Sequence, residues 1–99
     1  MNASFQSLIE SEKPILVDFF ATWCGPCQML SPTLKQVKDQ LGERVSIIKI
    51  DVDKNPEVAS IYQIRSVPTL IMFKKGKPVW KQSGVVPTQE LVKLFNQFQ

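Results

Sequence analysis

The chain contains 99 residues, of which 43% are hydrophobic, carries a formal net charge of +3 and has no histidine. A chain of this length supports one hydrophobic core, so we expect a single domain over residues 1–99. The absence of imidazole excludes Ser-His-Asp triads, Cys-His nucleophile pairs and histidine-bearing metal sites. No apolar run approaches the roughly 18 residues that a membrane-spanning helix needs, and Met1 to Lys13 lack the pattern of a signal peptide. We therefore expect a cytoplasmic protein that does not bind membranes.

The positive charge is a weak indication of nucleic-acid binding, because the 12 basic residues are scattered among 9 acidic ones. Only Lys74, Lys75, Lys77 and Lys81 form a local excess, on both sides of Gly76. A phosphate-binding patch is one interpretation, but lysines also protect exposed sheet edges from pairing with other chains. We favour the sheet edge and expect no nucleic-acid partner.

In chain order, Phe5, Leu8 and Ile9 recur at helical spacing and predict a short first helix. The apolar run at residues 15–21 predicts a buried strand. The next apolar stripe has a period of about 3.6 and predicts a helix of about four turns, which begins at the cysteines and ends at Gly42. Its members are Met29, Leu30, Leu34, Val37 and Leu41.

Residues 45–52 are rich in β-branched side chains and predict a second strand, parallel to the first. The pair Asn55-Pro56 predicts a short helix in which Asn55 is the N-cap and Pro56 occupies the first helical position. Residues 69–73 and 78–82 flank a turn and predict a hairpin, and an amphipathic stripe predicts a final helix capped by Thr88. These elements predict an α/β fold with a central mixed sheet of about four strands and helices on both faces.

Cys24 and Cys27 are the only cysteines in the chain, and they stand three apart just after the first predicted strand. A disulfide across two residues restricts the unfolded chain little, by about 2 kcal/mol, so it makes a poor structural staple. Residues three apart on a helix bring their Cβ atoms to about 5–6 Å, which allows the pair to cycle between dithiol and disulfide. A zinc site is the alternative, but it lacks two ligands and would need a dimer that shares four thiolates. We favour a redox pair.

The position of the pair at a helix N-terminus predicts different roles for the two sulfurs. Unpaired backbone N–H groups and the helix dipole stabilise a thiolate there, so we expect the pKa of the Cys24 thiol to lie below the usual value of about 8.5. Cys27 lies one turn inside the helix and is expected to be less exposed. Cys24 then attacks a substrate disulfide, and Cys27 attacks Cys24 in the mixed disulfide and releases the reduced product.

Asp18 lies inside an otherwise apolar strand, where burial raises the pKa of a carboxyl group. We favour a role in proton transfer to or from Cys27, while the alternative is a hydrated group near the strand end. Lys49 lies in the apolar run of the second strand. It either moderates the pKa of Asp18 or is a lysine that extends from an edge into solvent; both interpretations stay open.

Trp23 directly precedes Cys24, at the tip of the predicted strand-to-helix loop. Core packing is one possibility, but a tryptophan at such a tip is more often partly exposed and offers contact area to a partner. Pro26 fits the first helical turn and stiffens it.

Several runs of residues, spread in order over essentially the whole chain, together resemble the thioredoxin family. They are Val17-Asp18-Phe19, Trp23-Cys24-Gly25-Pro26-Cys27, Asp51-Val52-Asp53, Asn55-Pro56, Ile64-Arg65, Val67-Pro68-Thr69 and Gly84.

The resemblance implies a thioredoxin domain over residues 1–99 that acts as a monomeric protein-disulfide reductase in electron transport and cell redox homeostasis. No cofactor is implied beyond the Cys24–Cys27 disulfide, because NADPH is used indirectly through thioredoxin reductase. Disulfide-containing proteins such as ribonucleotide reductase, peroxiredoxin and methionine sulfoxide reductase are the implied targets.

The resemblance also implies residue roles. Cys24 is the attacking thiol, Cys27 the resolving thiol, Asp18 the buried acid and Lys49 its neighbour, and Pro68 is a cis-proline opposite the disulfide. The implied substrate-binding surface consists of Trp23, Gly25, Pro26, Val67, Pro68 and Gly84.

The chain also differs from the family pattern in three places. We expect the amino-terminal strand that is common in the family to be absent, Phe20 stands where many members have tryptophan, and Ser66 stands where glycine is frequent. We expect the first difference to affect one sheet edge and the other two to tune the choice of partner.

Two other functions compete with a reductase. One is an oxidase or isomerase of an exported compartment, but the Gly25-Pro26 pair resembles the reducing members of the family. The other is a non-catalytic binding module with idle cysteines, against which stand both cysteines together with Asp18 and Pro68.

Overall fold

The predicted helices and strands all form, in the predicted order, within residues 3–99, the part of the chain that this computed structural model describes. Met1 and Asn2, which belong to the predicted domain, lie outside the described residues. The strands are β1 (Ile15–Phe20), β2 (Ser46–Asp51), β3 (Thr69–Lys74) and β4 (Lys77–Ser83). The helices are α1 (Ala3–Ile9), α2 (Gly25–Leu41), α3 (Pro56–Ile61) and α4 (Thr88–Gln97), and a 3₁₀ turn at Gly42–Arg44 follows α2.

The four strands form one mixed sheet in the order β2-β1-β3-β4. β1 pairs with β2 in parallel and with β3 in antiparallel fashion, and β4 pairs antiparallel with β3. The predicted α/β class and the parallel pairing of the first two strands are therefore confirmed. β4 is an edge strand that carries Lys77 and Lys81, as the sheet-edge interpretation of the lysines requires. The Lys81 ammonium donates a hydrogen bond to the Tyr62 carbonyl oxygen at 2.9 Å.

Helices cover the sheet on both faces. Successive side chains of a strand point to opposite sides, so β1 contributes residues to both of the clusters under these helices. From β1, Leu16 joins a cluster built with residues of α2 and α4, including Leu34 and Phe95. Val17 and Phe19 join a second cluster with residues of α1 and α3. The central strand is thus buried on both faces, and any polar group in it is removed from water.

Two residues of the predicted apolar stripes are not in the core. Met29 is 68% exposed and Leu8 is 49% exposed. Successive helical residues are separated by about 100°, so Met29 cannot share a face with Leu30. Cys27 belongs to the buried face of α2 instead, one turn before Leu30.

The predicted caps are also corrected. Thr88 is not the N-cap of α4, which is Pro87; the Thr88 hydroxyl instead donates a hydrogen bond to Gln36 Oε1 at 2.7 Å and connects α4 to α2. Asn55 does occupy the N-cap position of α3, but its side chain makes no cap hydrogen bond. Its amide instead donates to the Asp51 carbonyl oxygen at 2.9 Å, at the end of β2.

Within residues 3–99, no helix has both the length and the apolar character that crossing a membrane requires.

Candidate functional site

The cysteine pair lies at the start of α2, just after the loop that follows β1. After Phe20 the chain turns, with the Cys24 N–H donating to the Ala21 carbonyl oxygen at 3.2 Å, and α2 starts at Gly25. Cys24 is the N-cap of this helix, and Pro26 lies in its first turn as predicted. The two cysteines form a disulfide with a Cα–Cα distance of 5.3 Å, well inside the range that such a bond allows.

The first turn of α2 directs a backbone donor at one sulfur of the pair. The Cys27 N–H, which has no partner within the helix, donates to Cys24 Sγ at 3.1 Å. An N–H dipole at this distance stabilises a negative charge on the sulfur more than it stabilises a neutral thiol. The geometry therefore favours charge on Cys24 when the disulfide is reduced.

The expectation that Cys27 is less exposed than Cys24 is wrong in this oxidised form. Cys24 is 3% exposed and Cys27 is 4% exposed. Cys24 is covered because a loop distant in sequence lies over it: Cys24 Sγ is 3.6 Å from the carbonyl oxygen of Val67. The prediction used only the positions of the two cysteines along the helix, and these do not reveal a loop from a distant part of the chain.

The covering loop contains the cis peptide Val67-Pro68, as the resemblance implies. The Pro68 carbonyl oxygen accepts a hydrogen bond from the Gly84 N–H at 2.8 Å, and Gly84 has a φ of 93°, a conformation that favours glycine. The predicted surface residues Val67, Pro68 and Gly84 are thus brought together from two separate segments, and the Val67 carbonyl oxygen lies against Cys24.

Trp23 is 73% exposed, as expected for a residue at the loop tip. Its indole N–H donates to Asp53 Oδ2 at 3.0 Å. Trp23 lines a cavity of about 140 Å³ together with Val52 and residues 64–67. Val52 and Val67 also pack against the cluster that contains both cysteines, so the cavity lies next to the disulfide. Gly25 and Pro26 are exposed on the same helix end.

Asp53 is a residue of the site that the sequence did not assign. Its own N–H donates to Asp51 Oδ1 at 2.9 Å, which fixes the turn after β2 and places the carboxylate against Trp23. The Asp51-Val52-Asp53 run was visible in the sequence, but the pairing with a residue 30 positions away required the fold.

Asp18 is fully buried in the central strand β1, so the alternative of a hydrated strand end is wrong. Burial raises the pKa of its carboxyl group from 3.8 to about 6, while the nearby positive charge of Lys49 acts in the opposite direction. Neither oxygen has a hydrogen-bond partner among residues 3–99.

Lys49 lies opposite Asp18 in the register of β1 and β2. Its ammonium is directed elsewhere: it donates to Ser31 Oγ at 3.0 Å and lies 5.4 Å from the centre of the Phe20 ring. Both open interpretations hold in part, since Lys49 is an exposed residue of an edge strand and its charge still lowers the pKa of Asp18. The contacts with Ser31 and Phe20 were not predicted.

As for the zinc alternative, no group of three or more histidine, cysteine, aspartate or glutamate side chains in the described part of the chain is arranged to hold a metal ion.

Comparison with known proteins places these features in a family. The family model for thioredoxin matches residues 1–97. The thioredoxin-like protein slr0233 of Synechocystis sp. is 48% identical over 93 residues, which cover 94% of this chain and 89% of that protein. The chloroplastic thioredoxin Y of Oryza sativa is 48% identical over 91 residues, which cover 91% of this chain and 54% of that protein. A crystal structure of chloroplastic thioredoxin z superposes with a TM-score of 0.86 at 33% identity, over 99% of this chain and 90% of that chain.

The match extends over nearly the full length, and the cysteines that form the disulfide lie where α2 begins. The chain therefore belongs to the thioredoxin family and is a thiol-disulfide oxidoreductase with a redox-active cysteine pair.

Proposed function

We propose that the chain is a protein-disulfide reductase in which Cys24 attacks the substrate and Cys27 resolves the mixed disulfide. The observation that carries this proposal is the hydrogen bond from the Cys27 N–H to Cys24 Sγ at the start of α2. It supports a pKa of the Cys24 thiol below the usual range in the reduced protein, which gives the thiolate that exchange requires.

The reaction proceeds in two exchange steps. The Cys24 thiolate attacks one sulfur of a substrate disulfide, the substrate S–S bond breaks, and one substrate thiolate leaves. The Cys27 thiolate then attacks Cys24 Sγ, which forms the intramolecular disulfide and releases the second substrate thiolate. The protein loses two electrons and two protons, and the substrate gains them as two thiols.

Asp18 accepts the proton of Cys27 in the second step, through an intervening water molecule. A pKa of about 6 makes its carboxylate the major form at neutral pH while it remains a usable proton carrier. Asp18 points to the face of the sheet that α2 covers, the face on which Cys27 is buried, which supports this role.

The substrate docks on the surface formed by Trp23, Gly25, Pro26, Val67, Pro68 and Gly84. The exposed indole of Trp23 supplies apolar contact area, and the backbone at Val67 pairs with an extended substrate segment. The 3.6 Å distance from the Val67 carbonyl oxygen to Cys24 Sγ supports this arrangement, because a segment paired there lies over the sulfur.

Members of the family work with thioredoxin reductase and disulfide-containing targets. For this chain we propose NADPH-dependent thioredoxin reductase as the electron donor, and ribonucleotide reductase, peroxiredoxin or methionine sulfoxide reductase as targets. We also propose a cytoplasmic monomer. Since thioredoxin Y of Oryza sativa is a chloroplastic protein, cell fractionation is the test of the location, and sedimentation that of the monomer.

Insulin reduction in the presence of dithiothreitol tests the activity, and the reduction potential measured against glutathione tests its direction. We expect acceleration over dithiothreitol alone and a potential on the reducing side of the cytosolic glutathione poise. A potential well on the oxidising side would assign the chain as an oxidase, and a rate equal to that of the buffer would assign it as a binding module.

A further inference from the structure

A second cavity, of about 240 Å³, borders Cys27, and none of the docking-surface residues lines it. Cys27 and Gln28 of α2 line it, together with Ser31 one turn further along, Phe20 at the end of β1 and Lys49 of β2. This cavity borders the sheet face on which Cys27 and Asp18 lie.

Lys49 occupies a particular place on that face. β1 and β2 run parallel with Asp18 opposite Lys49, so the two side chains start as neighbours on the same side of the sheet. Ile47, two residues before Lys49, packs in the core cluster under α2, which confirms the side. Because β2 is an edge strand, Lys49 is the residue that separates Asp18 from the open edge of the sheet there.

The ammonium of Lys49 is held by contacts from two other elements. Ser31 Oγ of α2 accepts its hydrogen bond at 3.0 Å, and the Phe20 ring of β1 lies 5.4 Å from it, within the range of a cation–π interaction. The side chain therefore reaches from the edge strand across to α2. A lysine without these contacts would leave its long side chain free in solvent.

We propose that Ser31 is a positioning residue, which holds Lys49 across the mouth of this cavity so that the side chain covers Asp18 and its ammonium stays away from the carboxylate. Ser31 thereby sets the pH range in which Asp18 exchanges the proton of Cys27. This proposal deepens the proposed function and rests on the proton-transfer role assigned to Asp18.

Few other charged or titratable groups lie close enough to Asp18 to shift its pKa. In the described residues, Lys49 from β2 is the charged group that acts on its pKa. β3 places the apolar Leu70 opposite Asp18, and the buried side chains of α4 are also apolar, while its Glu90 and Lys93 are exposed. From α2, the titratable groups at this end are the two thiols of the reduced pair.

The test is a ¹³C NMR titration of the Asp18 carboxyl group in the oxidised protein, where neither cysteine titrates. In Ser31→Ala we expect the pKa of Asp18 to fall by about one pH unit, because the released ammonium and entering water both favour the carboxylate. Ser31→Thr keeps a hydroxyl and is expected to retain the wild-type value. Alanine is a good helix former, so the variant folds.

Lys49→Met separates the cover from the charge. Methionine keeps an unbranched side chain over Asp18 but lacks the ammonium, so the pKa of Asp18 is expected to rise. Opposite shifts in Ser31→Ala and Lys49→Met support the proposal. An unchanged or raised pKa in Ser31→Ala would overturn it.

Kinetics distinguish this proposal from the proposed function. If Asp18 transfers the proton, the pH dependence of insulin reduction moves to lower pH in Ser31→Ala by the same amount as the titration. A shifted titration with an unmoved pH–rate profile would uphold the position of Ser31 and refute the role of Asp18. A wild-type protein inactive on insulin would refute the reductase itself, whatever the titration gives.

Discussion

The two faces of the central strand β1 differ in what they contain. Toward α1 and α3, Val17 and Phe19 lie in a cluster whose buried members are all apolar, and the rings of Phe5, Tyr62 and Phe73 pack there with centroid distances of 5.2–5.8 Å. Toward α2, the same strand presents Asp18, which is fully buried and has no hydrogen-bond partner among the described residues. One face is built for stability, and the other contains a group that opposes it.

This difference separates the residues that hold the fold together from those to which the proposed function assigns the reaction. A buried carboxyl group without partners destabilises the folded state whenever it is ionised. Asp18 lies on the face that α2 covers, where Cys27 is also buried. On the aromatic face, which is the face toward α1 and α3, β1 contributes no titratable residue. Substitutions on the two faces are therefore expected to have opposite consequences.

The largest effect is expected from the cysteines. Cys24→Ser should reduce insulin reduction to the rate of dithiothreitol alone, because a serine hydroxyl supplies no thiolate. Cys27→Ser should accumulate mixed disulfides through Cys24, visible as bands on non-reducing gels that disappear on reduction. Cys24→Ser is the matched control and should trap nothing; trapping by this variant, or none by Cys27→Ser, would contradict the assigned roles.

On the aromatic face, Phe19→Ala should lower the free energy of unfolding by about 3–5 kcal/mol, since it removes a fully buried ring and leaves a cavity. Urea unfolding followed by circular dichroism measures the loss. The insulin activity of the folded fraction should stay close to that of the wild type. A large loss of activity at full occupancy of the folded state would mean that the two faces are not separate in function.

On the α2 face, Asp18→Asn should raise the free energy of unfolding by about 3 kcal/mol at pH 7, and insulin reduction should become slower. The pKa of about 6 in the folded protein lies above 3.8, so the unfolded chain ionises more readily and ionisation favours unfolding. Asparagine stays neutral and removes this penalty.

The pH dependence of that difference provides the control. Below about pH 3 both proteins are neutral at this position and should be similar in stability, and the advantage of Asp18→Asn should grow between about pH 4 and 6 and then level off. Urea unfolding at a series of pH values measures it. Equal stability at pH 7 would contradict the burial penalty of the Asp18 carboxylate. An unchanged pH–rate profile would contradict its role in proton transfer.

The smallest effect is expected at the exposed end of the site. Trp23→Phe keeps an aromatic ring but loses the hydrogen bond to Asp53, worth about 0.5–1.5 kcal/mol. We expect the KM for insulin to rise by about 2- to 10-fold with little change in kcat. Trp80→Phe on β4, outside the site, is the control and should leave KM unchanged. A fall in kcat alone would argue against a docking role for Trp23.

Much of the fold could be predicted because its signals are local. The β-branched run of residues 45–52 and the apolar run of residues 15–21 specify strands by their own composition, and the stripe through Leu30, Leu34 and Val37 specifies the face of α2. Asp18 was predictable for the same reason, since a single acid in an apolar run is buried with the rest of the run.

The residues that were missed depend on contacts between distant segments. Met29 has the same apolar character as Leu30, and only the packing of α2 decides which of them is buried. The hydroxyl of Thr88 was available for a cap, but Gln36 of α2 lies within hydrogen-bond distance and receives it. Cys24 is as buried as Cys27 because the loop at Val67 covers it, and Asp53 meets Trp23 across 30 residues.

The sequence by itself determined the order and type of the elements, the cysteine pair at the start of a helix and the acid in the central strand, because each depends on neighbours a few positions away. The tertiary structure alone decided what surrounds those groups: the Val67 carbonyl over Cys24, the indole held by Asp53, and the Lys49 ammonium bound to Ser31. Such contacts join residues from different elements, and their geometry exists only once the sheet and helices have packed together.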